Sequence, residues 1–107
     1  MSGITTHVLD TARGRPAAGV PVRLELRDGE RWREIGRGTT DDDGRLRTLT
    51  GPSIAAGTYR ITFDTGAYNA GGFFPEVAIV FEVNDAAQHY HVPLLLSPFG
   101  YSTYRGS

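Results

Sequence analysis

The chain contains no cysteine, so neither a disulfide framework nor a thiolate metal site is open to it, and a reducing, cytoplasmic setting is the expectation. It also lacks an excess of either charge. With 11 basic and 12 acidic residues the formal net charge is -1, which excludes the basic field that gathers nucleic acid. No apolar run approaches the roughly 20 residues that cross a bilayer. The opening MSGITTHVLD has neither the basic stretch nor the apolar centre of a signal peptide. Internal repeats, low-complexity segments and linkers are missing too. A length of 107 residues fits one domain, spanning 1–107, whose single core has to carry the fold. These absences predict a soluble cytoplasmic protein with no nucleic-acid or membrane partner.

Punctuation is what the chain has in abundance. Its 14 glycines and 6 prolines recur at intervals too short for most helices and comfortable for strands. In GVPVRLELRDGE, Val20, Val22, Leu24 and Leu26 alternate with Pro21, Arg23, Glu25 and Arg27, the period of a half-buried strand, and Asp28-Gly29 follows as a turn. Tyr59, Ile61 and Phe63 form the inward set of a second strand; Val77, Ile79, Phe81 and Val83 form that of a third. Further strands are predicted at 5–10, 32–39, 45–49, 90–96 and 102–105. Seven or eight short strands with turn residues between them predict an antiparallel β-sandwich. TGAYNAGG is the one place for a turn or two of helix.

Histidine titrates nearest neutrality, so His7, His89 and His91 are the first candidates for acid-base work. Alternation places His7 with Thr5 and Leu9, opposite Val8. It places His89, His91, Pro93 and Leu95 together, opposite the apolar set Tyr90, Val92, Leu94 and Leu96. Both faces point away from the core, and solvated strand histidines have the same pattern. Nothing in the spacing brings His7 and His91 together. TTDDDGRLRT has aspartates before a glycine, yet Thr39 stands where a calcium loop needs its first ligand, so a plain turn is expected. After it, Arg45 and Arg47 share the face opposite Leu46. There they are either solvated or able to clamp a planar anion through paired N–H groups. The tail YSTYRGS carries Tyr101, Tyr104 and Arg105, side chains costly to order unless they bury or bind something; a blunt edge strand is the plain alternative. Elbow, Walker and zincin motifs are not found.

Taken together, THVLDTARGRPAAGVPV, TTDDDGR, FFPEVAIVF, HYHVPLLLSPFGYSTY and YRGS closely resemble the transthyretin-like family, and within it the 5-hydroxyisourate hydrolases that form its enzymatic branch. The resemblance covers nearly the whole chain. Its most specific element is Tyr104-Arg105-Gly106-Ser107, followed by HVPLLLSP. It implies a transthyretin-like antiparallel β-sandwich of two four-stranded sheets with one short helix. It further implies edge-to-edge dimers that pair into a homotetramer, with a shared site at each mouth of the dimer–dimer channel. The expected activity is metal-free and cofactor-free hydrolysis of the small molecule 5-hydroxyisourate. On the matching positions, His7, Arg45, His91 and Ser107 are implied as catalytic, and His7, Arg45, Tyr104, Arg105 and Gly106 as substrate-binding. Which histidine acts as base stays open, and His89 and Arg47 receive no role. Pro93 departs from the rule against proline in a central ladder and is accepted because the family carries proline there. Two rivals use the same pattern: a non-catalytic carrier of the transthyretin type, and an accessory sandwich module of the kind strung along longer chains.

Overall fold

The computed structural model describes residues 3–51 and 53–106. In chain order the strands are β1 (Gly3–Asp10), β2 (Arg15–Pro16), β3 (Pro21–Asp28), β4 (Arg31–Thr39), β5 (Arg45–Leu46), β6 (Gly57–Phe63), β7 (Val77–Val83), β8 (His89–Ser97) and β9 (Gly100–Thr103). A single-turn helix, α1 (Thr65–Tyr68), lies between β6 and β7. One sheet has the order β4-β3-β6-β7 and is antiparallel throughout. The other runs β2-β1-β8-β9, with β5 also pairing β1. Its central pair, β1 with β8, is parallel over eight residues, from Gly3 opposite His89 to Asp10 opposite Leu96.

Side-chain alternation decides which faces meet. Ile4, Val8, Tyr90, Val92 and Leu94 from one sheet bury against Val22, Leu24, Tyr59, Ile61 and Phe63 from the other. Each large apolar side chain buried this way is worth about 1.5–3 kcal/mol relative to exposure. A one-residue slip of β1 or β8 would forfeit several of these at once. Polar groups on the inner face are satisfied: Thr6 Oγ1 donates to the Val92 carbonyl at 2.6 Å, and the Tyr68 hydroxyl donates to Asp10 Oδ2 at 2.7 Å, tying α1 to β1.

Two departures from the sequence expectation have physical reasons. The strand expected over 45–49 is only Arg45–Leu46: continued in register, residues 47–49 would face Thr5, Ile4 and Gly3, but Leu49 turns into the core and the Ile4 N–H is taken by the Thr50 hydroxyl at 3.2 Å, which alternation could not reveal. The last strand is Gly100–Thr103 rather than 102–105. Its ladder breaks at Pro93, which the register sets opposite Tyr104. Odd-numbered residues of β8 turn their backbone groups toward β9, as the bonds from Thr103 Oγ1 to the Pro93 carbonyl (2.7 Å) and from Gly106 N to the His91 carbonyl (2.8 Å) show. The missing N–H of Pro93 therefore falls on the β9 side and leaves the β1–β8 ladder whole, which explains how this proline sits in a central strand.

Gly44 closes the turn before β5 at φ +75°, and a β-carbon there would lie 2.4 Å from the Val8 carbonyl oxygen. Gly29 also has a positive φ, +64°, but open space around it. Gly29→Ala is thus expected to cost about 1–2 kcal/mol from the left-handed backbone alone. Gly44→Ala should cost at least about 1 kcal/mol more, because backbone must also move. Equilibrium urea unfolding of both variants checks this ordering.

Candidate active site

The outward face of β1, β5 and β8 gathers the side chains that sequence reasoning could place only strand by strand. His7 stands directly opposite Arg45 on β5 and Pro93 on β8, and Thr5 stands opposite His91. The loop before β5 is built to hold Arg45 there. Asp41 Oδ1 accepts from the backbone N–H groups of Asp43 and Arg45, both at 2.9 Å, and the Gly44 carbonyl accepts from Val8 N at 2.7 Å. Those backbone donors, above all that of Arg45, hold the Asp41 carboxyl below its ordinary range. The aspartates of TTDDDGR thus serve a turn, as expected. Arg45 is half-buried and makes no ion pair among the described residues, whereas Arg47 lies beyond the end of β5 and is exposed.

Each histidine on this face is held by one ring nitrogen. His7 Nε2 lies 2.8 Å from the Asp43 carbonyl oxygen; since a carbonyl only accepts, Nε2 carries the proton. His91 Nδ1 lies 2.8 Å from Thr5 Oγ1. Its Nε2 has no partner among the described residues and is not sealed from solvent. Burial, first of all, holds the His91 imidazole below the ordinary value of 6.5, and the charge of Arg45 and the neighbouring His7 and His89 push the same way. A neutral imidazole with an open nitrogen, next to a guanidinium, can take a proton from water while the cation stabilises negative charge nearby.

The tail reaches this face at one point. Gly106 bridges to His91 through its backbone, and a β-carbon on Gly106 would lie 2.5 Å from His91 Cδ2, so only glycine lets the chain pass against that ring. Tyr104 is exposed. Arg105, expected beside the substrate, is on the other side of the sheet. Its guanidinium lies 4.5 Å over the Tyr90 ring and donates to Gln88 Oε1 at 3.0 Å, because the register sets it opposite the inward-facing Val92. It borders an apolar cleft of about 220 Å³ with Phe81, Tyr90, Tyr104 and His91, so the cleft reaches His91 but not His7 or Arg45. Ser107 lies outside the described residues.

A family model described as HIUase/Transthyretin family matches residues 4–106. The chain belongs to the HIUase/Transthyretin family. A 5-hydroxyisourate hydrolase of Caulobacter vibrioides is 50% identical to it over 115 aligned positions, covering 100% of both sequences. The solved structure of Klebsiella pneumoniae 5-hydroxyisourate hydrolase superposes with a TM-score of 0.88 at 37% identity, covering 100% of both chains. Sea bream transthyretin in complex with thyroxine superposes equally well, with a TM-score of 0.89 at 32% identity over 96% of this chain and 93% of that one. A 5-hydroxyisourate hydrolase and a thyroxine-bound transthyretin thus share this fold, and side chains have to distinguish them.

Sequence reasoning missed two groups on this face. Thr5 was placed on the face of His7 but not recognised as the partner of His91, and the Asp43 contribution is a main-chain carbonyl that no residue type announces. The electrostatics predict a measurable shift. Removing the Arg45 charge makes the imidazolium less costly, so Arg45→Ala should raise the His91 pKa toward 6.5. Titration of the His91 ring protons by NMR checks it; an unchanged or lowered midpoint would contradict this placement.

Proposed function

We infer that this chain hydrolyses 5-hydroxyisourate to 2-oxo-4-hydroxy-4-carboxy-5-ureidoimidazoline in urate degradation. One observation carries the reading beyond the family: a polar outward face with His7, Arg45 and His91 together, where burial and the Arg45 charge disfavour the His91 imidazolium and its Nε2 has no partner among the described residues. A carrier needs a mainly apolar lining, whereas here two histidines and an arginine stand around Pro93. Among the superposed structures the hydrolase is 37% identical against 32% for the thyroxine-bound transthyretin, which points the same way.

In this reading a water oxygen bonds to a ring carbonyl carbon of the substrate while His91 Nε2 takes its proton. Arg45 offsets the charge developing on the carbonyl oxygen. His7, its Nε2–H fixed on the Asp43 carbonyl, contributes from its other nitrogen. Collapse breaks the ring C–N bond, and the proton held by His91 passes to the leaving nitrogen. Tyr104 and Gly106 wall the site. Arg105 anchors the tail from behind through Tyr90, which gives the arginine of YRGS a part in holding the wall rather than in touching substrate. Ser107 is assigned to orienting a histidine on the resemblance alone.

The assembly reading is a homotetramer. β9 and β7 each end a sheet on the same side of the sandwich, and Val80, Phe99, Tyr101 and Tyr104 are exposed large hydrophobics on or beside them. Edge pairing through β9 and β7, followed by face-to-face packing of two dimers across the His7–Arg45 face, would enclose the sites in a channel. A cytoplasmic location accords with the lack of cysteine.

The decisive assay generates substrate from urate with urate oxidase and follows its ultraviolet decay. The protein should accelerate that decay. His7→Ala, Arg45→Ala and His91→Ala should each lower kcat/KM by roughly 100-fold or more, the range for loss of a general base or of a charge aimed at an oxyanion. Unaccelerated decay with the native protein would overturn the assignment.

A further inference from the structure

Thr5 Oγ1 lies between two imidazoles, 2.8 Å from His91 Nδ1 and 2.9 Å from His89 Nε2. The parallel register produces this bracket. Gly3 and Thr5 stand opposite His89 and His91, so the hydroxyl of Thr5 falls between two histidines of the same face. We propose that Thr5 and His89 are positioning residues that set the tautomer of His91, an inference that rests on the hydrolase reading above.

The direction of these bonds follows from a count of protons. A hydroxyl has one proton to give and lone pairs to accept. If His91 carries its proton on Nδ1, that N–H donates to Thr5 Oγ1, the hydroxyl donates on to His89 Nε2, and His91 Nε2 keeps a free lone pair. If the chain runs the other way, His89 Nε2–H donates to Thr5, the hydroxyl donates to His91 Nδ1, and the His91 proton is forced onto Nε2. Only the first direction leaves the outward nitrogen able to accept a proton from water. In a third arrangement both rings donate and the hydroxyl proton has no acceptor among the described residues. His91 can act as base whenever its Nδ1–H donates to Thr5, and of the two arrangements that allow this only the one in which His89 accepts also gives the hydroxyl proton an acceptor among the described residues.

His89 bonds through Nε2 among the described residues; with Nε2 accepting, its proton is on the buried Nδ1, which has no partner there, a cost that the hydrogen-bonded chain to His91 has to offset. Gly106 packs on the far side of the His91 ring at Cδ2, fixing its plane. Thr5 is on β1 within the eight-residue ladder and is not free to turn away. This gives His89, which the resemblance leaves without a role, a task at one remove from the substrate.

The test combines imidazole ¹⁵N chemical shifts with steady-state kinetics on the native protein and on Thr5→Val, Thr5→Ser and His89→Phe. Native His91 is expected to carry its proton on Nδ1. His89→Phe removes the acceptor, so His91 should convert to the Nε2–H form. Thr5→Val removes the bridge, so the two tautomers should mix. Both variants should lose roughly tenfold or more in kcat, with KM within about threefold, since the wrong tautomer removes the base while leaving the binding groups in place. Thr5→Ser should retain the native tautomer and most of kcat. A native His91 protonated on Nε2, or kcat in folded Thr5→Val and His89→Phe within twofold of native, would overturn the proposal. Should Thr5→Val fail to fold, His89→Phe and Thr5→Ser still decide it. A native protein with no hydrolysis at all would instead overturn the hydrolase reading, and the tautomer measurement would then stand or fall separately.

Discussion

The parallel pairing of β1 with β8 is the constraint on which the rest of the structure depends. Its period of two sorts every residue of both strands at once. Ile4, Val8, Tyr90, Val92 and Leu94 go inward and form one wall of the core, while Thr5, His7, His89 and His91 go outward. Burial energy and chemical function are thus set by a single register. A slip of one residue would bury histidines and expose leucines, so the core protects the geometry of the site without touching it. The two strands are far apart in sequence, and their meeting is the long-range event from which the outward cluster follows.

Two local devices complete that cluster. The turn held by Asp41 and Gly44 lays Arg45 beside His7 and offers the Asp43 carbonyl to the His7 ring. At the other side, Pro93 interrupts the β9 ladder and Gly106 resumes it against His91. The interruption costs the sheet little, since the missing donor faces the end of β9 rather than β1. It also lets Arg105 turn back onto Tyr90. The apparent breach of strand rules at Pro93 and the glycine in YRGS are therefore two parts of one arrangement around the same imidazole.

Much of this was legible in the sequence because alternation is a local property. The inward sets of β3, β6, β7 and β8 and the outward faces of His7, Arg45 and His91 follow from neighbours two residues apart. What alternation does not encode is which strands pair, in which direction and at which offset. Hence the closeness of His7 and His91, the bracket around Thr5 and the short β2 could not be read from the pattern. The resemblance to the family supplied the grouping of the site residues but not the side of the sheet on which Arg105 lies, because position in a motif does not record the parity of the strand. His89 shows the same limit, since its role depends on a hydroxyl contributed by another strand.

The fold itself does not separate a hydrolase from a carrier, since both kinds of relative superpose on it almost equally. The distinction lies in whether the open nitrogen of His91 takes a proton during the reaction. Chemical rescue addresses that step most directly. His91→Gly removes the imidazole and leaves space beside Gly106, and 5-hydroxyisourate decay is then followed with and without added imidazole. The account predicts a rate far below native that rises with the concentration of neutral imidazole. A His91→Gly protein that hydrolyses substrate at the native rate, with no response to imidazole, would contradict it.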